Sequence, residues 1–170
     1  MLNIFTKDIG VGGKMINLRK AEEKDQAFLG KVCLSAHKLY QPFMGDAFIK
    51  QAHKYEDALP SGYHIYIIEE AGQPLGFVGY KRKSENIMYI VAFYLLDTYY
   101  GESYGTQTMH FLVNEFKSKG IDEILLEVHK KAEWAKKFYE KQGFKIANGE
   151  DMYKNDLHEK ETVLLSKRLA

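Results

Sequence analysis

The run Tyr100-Gly101-Glu102-Ser103-Tyr104-Gly105-Thr106 has the make-up of a phosphate-binding turn. Gly101 and Gly105 let the backbone bend sharply and expose its N–H groups. The uncharged stretch 87–96 before it reads as a strand. After it, Met109, Phe111, Leu112, Val113 and Phe116 recur close to a 3.6 period, as one face of a helix does. The first N–H groups of a helix lack intrahelical partners and sit at the positive end of its dipole. A strand, a glycine-punctuated turn and a helix in that order therefore suit a phosphate or diphosphate. The same pattern also describes a strand-to-helix turn with no ligand. Two other phosphate loops are excluded. Gly105 is followed by Thr106 and Gln107 rather than by Lys and Ser/Thr, and Gly-x-Gly-x-x-Gly occurs nowhere in the chain.

Other chemistry is thinner. The six histidines show no paired ligand spacing, so no metal site is expected. The single cysteine, Cys33, cannot close an internal disulfide and reads as a helix packing residue. A chain of 170 residues with net charge +1 can bury the core of one ordinary domain. Its charge points to neither nucleic acid nor membrane as a partner. No run approaches a membrane span and no charged-then-apolar leader opens the chain, so the expectation is a soluble cytoplasmic protein.

The elements that must position the turn follow from pattern. Residues 1–14 are short, glycine-containing and loosely patterned; they read as an N-terminal extension of unknown role, with the domain spanning 15–170. A strand is expected at 16–20, and a helix from Asp25 that breaks at 40–45. A second helix is expected over 46–59, ending at Pro60. Residues 63–69, 75–81 and 87–96 then read as an antiparallel meander. A helix closed at Gly120 is followed by a strand over 121–128 and a helix over 133–142 stopped at Gly143. Last come strands at 144–146 and 162–169, joined by the polar stretch 148–161. The order βααβββαβαββ predicts a single α+β domain with mixed, mostly antiparallel pairing and flanking helices.

Leu125-Leu126-Glu127-Val128 followed by Ala135-Lys136-Lys137-Phe138-Tyr139-Glu140-Lys141-Gln142-Gly143-Phe144 resembles the second signature of the GNAT superfamily of acyl-CoA-dependent N-acetyltransferases. Its first signature, an Arg/Gln-x-x-Gly-x-Gly/Ala turn, falls on Tyr100 to Gly105. Three positions depart from the family pattern: Tyr100 replaces Arg or Gln, Ser103 replaces Gly, and Ala132 replaces an Asn that helps hold the pantetheine arm. The tail, from Met152-Tyr153 to Thr162-Val163-Leu164-Leu165, is similar to bacterial diamine and polyamine N-acetyltransferases.

The resemblance implies acetyl-CoA as cosubstrate, with an amine attacking its thioester. Backbone groups of Leu95 and Leu96 are then expected along the pantetheine arm. The N–H groups of Tyr100, Gly101, Glu102, Ser103, Tyr104, Gly105 and Thr106 are expected around the diphosphate, with Lys137 near a phosphate. Tyr139 is the expected general acid for the leaving thiolate, since a tyrosine is protonated at neutral pH. No acid lies in 87–96, where the family often keeps its base. Glu69, Glu70, His64 and Asp97 are substitutes, and a base acting through water or no dedicated base fits equally. Tyr40, Phe43, Tyr63 and Tyr66 could line an acceptor pocket or pack in the core. The expected acceptor is a primary amine of a small molecule, a polyamine among the candidates. A homodimer is left open, and a catalytically inactive acyl-CoA sensor is the rival function.

Overall fold

The computed structural model describes residues 5–6, 15–147 and 161–169. Its strands are β1 (Phe5–Thr6), β2 (Ile16–Lys20), β3 (His64–Glu70), β4 (Gln73–Ser84), β5 (Ile87–Leu95), β6 (Glu123–His129), β7 (Lys145–Ile146) and β8 (Thr162–Arg168). Its helices are α1 (Gln26–Met44), α2 (Ala47–Asp57), α3 (Tyr104–Ser118) and α4 (Glu133–Lys141). The strands form one sheet in the order β1-β2-β3-β4-β5-β6-β8-β7. Every pair is antiparallel except β5–β6. From β2 onward the element order is the one expected from sequence, and the mixed, mostly antiparallel α+β fold is confirmed. The short β1, inside the stretch read as loosely patterned, pairs with β2 at Leu18 and Asn17. The tail residues Met152 and Tyr153, and most of the joining stretch 148–161, lie outside the described residues.

The first helix does not break where the sequence suggested. α1 runs through Pro42 to Met44, and the chain turns at Gly45, whose φ is +55°. A proline in the last turn forfeits one backbone bond. Tyr40 and Met44, packed against the core cluster beneath α1, offset that loss. β4 also extends beyond 75–81 at both ends, into both flanking turns.

Two cores lie on opposite faces of the sheet. On one, Met109, Leu112 and Phe116 of α3 cover Val78, Ile90, Ile124 and Leu126. On the other, Leu29, Val32, Cys33 and Ala36 of α1, with Phe48, Ala52 and Tyr55 of α2, cover Ile65, Ile67 and Phe77. Spacing of three and four along each helix produces these apolar stripes. Among the described residues no helix is long and apolar enough to cross a membrane.

α1 is fastened at its start. Asp25 accepts the Glu22 amide at 2.8 Å and both terminal nitrogens of Arg19, at 2.8 and 2.7 Å. Arg19 also bonds Glu69 on β3. Burial pushes the Asp25 carboxyl up, but the Arg19 hydrogen bonds and the Glu22 amide outweigh it and hold the group below the usual aspartate value. This cluster fixes α1 against β2 and β3, and so fixes where the far end of α1 falls.

β4 and β5 touch at Gly76. A Cβ there would lie 2.1 Å from the Tyr94 carbonyl oxygen and 2.7 Å from the Leu95 Cα. Both are backbone atoms and cannot swing aside. Gly76→Ala is therefore expected to lower unfolding free energy by about 2 kcal/mol or more in chemical denaturation. Gly62→Ala, where a Cβ meets nothing within 4 Å, should stay within about 0.5 kcal/mol of the parent.

Candidate active site

The parallel pair β5–β6 is short. Ile87, Met88, Tyr89 and Ile90 pair with Glu123 to Leu126, and there the pairing stops. Beyond that point β5 keeps its ladder with β4, and β6 keeps its ladder with β8, up to His129. The two strands part. The register with β4 shows why: Tyr80 opposes Ile90 while Gly79 opposes Ala92, so Val91 is an extra residue on β5. Such a bulge bends the strand and increases its twist.

The parted strands leave backbone groups facing a gap. The Leu96 amide donates to the Leu75 carbonyl at 2.9 Å, and the Leu96 carbonyl accepts the Tyr99 amide at 3.0 Å. Both main-chain groups of Leu96 are therefore engaged. In an antiparallel ladder the bonding direction alternates along the strand. The main-chain groups of Leu95 and Phe93 thus point away from β4, into the gap. Phe93 was missed from sequence, because only the register reveals which backbone groups are open.

At the end of β5 one short turn over Asp97–Tyr99 leads toward α3. The Asp97 amide donates to the Ser35 hydroxyl at 3.0 Å, and Lys38 Nζ lies 3.4 Å from the Asp97 carboxylate, tying the turn to α1. Gly101 and Ser103 then take left-handed conformations, with φ +76° and +66°. For a residue with a Cβ this costs about 1 kcal/mol. The first α-helical bond runs from the Gln107 amide to the Ser103 carbonyl at 3.0 Å, so the amides of Gly105 and Thr106 precede the ladder of α3. Gly105 itself is helical. Its glycine serves packing instead: a Cβ would come within 3.2 Å of the Phe138 ring. Tyr100 and Glu102 are exposed, Tyr104 is buried, and Lys137 is exposed on α4. Gln142 Nε2 donates to Thr106 Oγ1 at 3.1 Å and braces the helix start against α4.

Tyr139 rises from α4 between the rings of Phe138 and Phe144, at centroid distances of 5.1 and 5.4 Å. Burial pushes its hydroxyl well above the usual tyrosine value, and Tyr40 adds to the shift. Burial does the same to Tyr94, with Tyr40 and Tyr139 contributing. Tyr40 is pushed up to about 12 by burial, with Tyr100 as a further cause. Tyr139 belongs to the α3-side core, whereas Tyr40 and Tyr94 pack against the α1-side core. The phenols influence one another at the end of the sheet where β5 and β6 have separated.

Near them is an aromatic cluster. Tyr40 and Phe43, at the end of α1, meet Trp134 of α4 at 5.2 and 5.9 Å. Phe43 also packs on the His129 ring at 4.6 Å. His129 Nδ1 accepts the Lys131 amide at 3.1 Å, so the neutral ring carries its hydrogen on Nε2. That Nε2 is buried without a partner. Ala132, at the start of α4, has no exposed surface.

The other expected residues disperse. Tyr63 hydrogen-bonds Tyr55 at 2.9 Å in the α1-side core, and Tyr66 stacks on Tyr80 at 5.3 Å on the opposite face. Tyr40, Phe43, Tyr63 and Tyr66 therefore do not line one pocket, because β3 sends alternate side chains to opposite faces. Glu69 is held by Arg19 and Asp97 by Lys38, while His64 is exposed at the start of β3. The carboxylate at the parting point is Glu127, half-buried on β6 one residue past the last β5 pair and linked by hydrogen bond to Tyr89. In the sequence Glu127 is visible only as part of the Leu125-Leu126-Glu127-Val128 run, with nothing to mark its carboxylate. Among the described residues no group of three His, Cys, Asp or Glu side chains could hold a metal ion.

An open strand edge followed by a turn of left-handed residues at a helix start defines a cleft for a long ligand with a phosphorylated end. Coenzyme A is a ligand of that chemical kind, with an amide-bearing arm and a diphosphate. The sequence model of the acetyltransferase (GNAT) family matches residues 33–144. The structure of PaiA N-acetyltransferase from Thermoplasma acidophilum in complex with coenzyme A is similar, with TM-score 0.71 and 20% identity over 90% of this chain and 98% of that one. The ribosomal-protein-S18-alanine N-acetyltransferase from Escherichia coli superposes with TM-score 0.68 and 16% identity, over 92% and 95%. Ard1 from Thermoplasma volcanium gives 0.64 and 17%, over 91% and 98%. No curated protein matches the sequence. The chain belongs to the GNAT acetyltransferase family. It is an acetyl-CoA-dependent acetyltransferase.

His129 yields a pH test. Burial lowers its pKa, Lys131 and Lys130 add to the lowering, and Glu161 opposes it. Below about pH 6.5 the unfolded chain takes a proton here that the folded chain resists. Stability carried by this group is thus complete above that value and falls as pH drops toward the lower folded value. His129→Gln should flatten the melting-temperature profile between about pH 7 and pH 5. Parallel profiles for variant and parent would remove His129 from the acid response.

Proposed function

We propose that this acetyltransferase modifies a primary amine of a small molecule, bound on the α1 side of the gap between β5 and β6. The observation that carries the reading is the Tyr139 phenol, buried on α4 between Phe138 and Phe144 and within electrostatic reach of Tyr40 and Tyr94. Bound acetyl-CoA supplies an acetyl group as a thioester. The main-chain groups of Phe93 and Leu95 would hold its arm. The amides of Gly101, Ser103, Gly105 and Thr106 would hold its diphosphate, with Lys137 of α4 as a counter-charge; the Tyr100 amide, expected from sequence to join them, is taken by the Asp97 carbonyl at 3.2 Å.

Tyr139 keeps its proton at every physiological pH, and its raised pKa makes it a reluctant acid. Its part is to donate a hydrogen bond from Oη to the sulfur as negative charge develops there, and to yield the proton as the carbon–sulfur bond breaks. Glu127 is our candidate for taking the proton released by the incoming ammonium. It lies on the same sheet strand as His129, two residues away. The cluster of Tyr40, Phe43 and Trp134 offers aromatic faces to a cation. The buried His129 Nε2–H can donate to a neutral amine nitrogen of the acceptor or, in a peptide, to a carbonyl oxygen.

A polyamine is one such acceptor. A peptide N-terminus is a second reading, favoured by the likeness to the S18-alanine enzyme. A panel of polyamines, aromatic monoamines and alanine-leading peptides, read by thiol release from acetyl-CoA, separates them. Turnover with peptides alone would replace the small-molecule reading. With the best acceptor, Tyr139→Phe should lower kcat about a hundredfold while leaving coenzyme A affinity within roughly twofold. Undiminished kcat would take Tyr139 out of the chemistry.

A further inference from the structure

Ser103 occupies the left-handed position where the family pattern has glycine, and it holds φ +66°. One helical turn later stands Gln107, with only 3% of its surface exposed. Gln107 grips Ser103 twice. Its amide donates to the Ser103 carbonyl at 3.0 Å, and its side-chain Nε2 donates to Ser103 Oγ at 3.1 Å. The second bond uses a lone pair of the hydroxyl and leaves the hydroxyl proton free to be donated outward, where Ser103 is exposed. Gln107 Oε1, meanwhile, is buried without a partner. A buried acceptor left unpaired is a standing cost. A leucine or methionine would fill the same volume without it, so packing does not account for a glutamine here.

We infer that Gln107 is a positioning residue for the coenzyme A diphosphate: it locks Ser103 left-handed and aims its hydroxyl, so that the pair does what a glycine does by conformational freedom. The inference rests on the reading of this turn as the coenzyme A site. It differs from a packing role in one respect: its effect depends on the residue at position 103.

Titration calorimetry of the full chain with coenzyme A tests this. Gln107→Leu is expected to weaken binding about five- to tenfold, the factor set by one hydrogen bond of ordinary strength. In a Ser103→Gly background no side chain needs aiming and no strain needs holding. Adding Gln107→Leu there should change Kd by less than about twofold. Equal losses in both backgrounds overturn the inference. Should Gln107→Leu alone fail to fold, its melting behaviour with and without Ser103→Gly gives the same comparison: recovery supports the clamp, and no recovery overturns it. Absence of coenzyme A binding by the parent chain would instead remove the turn as the coenzyme site, and the clamp with it.

Discussion

The parting of β5 from β6 is the constraint on which the rest of the site depends. Interior strands of a sheet normally satisfy their backbone groups on both sides. Here the Val91 bulge lets β5 bend away after four paired residues, and an edge opens in the middle of the sheet. An unpaired edge invites an extended partner. A ligand arm carrying amides can answer it as a strand would. α1 and α3 pack on opposite faces of the sheet that carries the gap.

The same opening explains the phenols. A closed sheet would separate the α1-side core from the α3-side core. With the strands apart, Tyr139 from one side influences Tyr40 and Tyr94 from the other. Their surroundings are apolar, and burial keeps all three neutral. Neutral hydroxyls are donors, which suits the proposed chemistry, in which charge develops on sulfur. The placement of Tyr40 depends in turn on the far end of α1, where Arg19 joins Asp25 and Glu69. That cluster lies away from the chemistry but sets the line along which α1 delivers its aromatic end.

The departures from the family pattern have different physical weights. At Ser103 the missing glycine is met by hydrogen bonds from Gln107 to a strained residue. At Ala132 the missing asparagine leaves a small side chain with no exposed surface, so a larger one there would have to displace its neighbours. At Tyr100 the side chain is 43% exposed, and its amide is bonded to the Asp97 carbonyl, so under the proposed function the amides of Gly101, Ser103, Gly105 and Thr106 would stand in for a side-chain cation. A turn built from main-chain groups tolerates such changes better than one built from side chains.

The sequence by itself determined the element order and the family, and it nominated the turn from Tyr100 to Thr106 for a diphosphate and Tyr139 for the chemistry. These rest on local signals: periodicity, glycine punctuation and the Phe138-Tyr139-Glu140-Lys141 run. It could not show that Val91 is a bulge, because 87–96 is uncharged throughout and its pattern carries no phase. That bulge decides which face Tyr94 joins and which backbone groups face the gap, so Phe93 and Glu127 emerged only in three dimensions. Nor could it separate Tyr40 and Phe43 from Tyr63 and Tyr66, since aromatic residues read alike until sheet alternation sends them to opposite faces. The reason is general: a strand's side-chain phase depends on its register with neighbours distant in sequence, and register is a property of the assembled sheet.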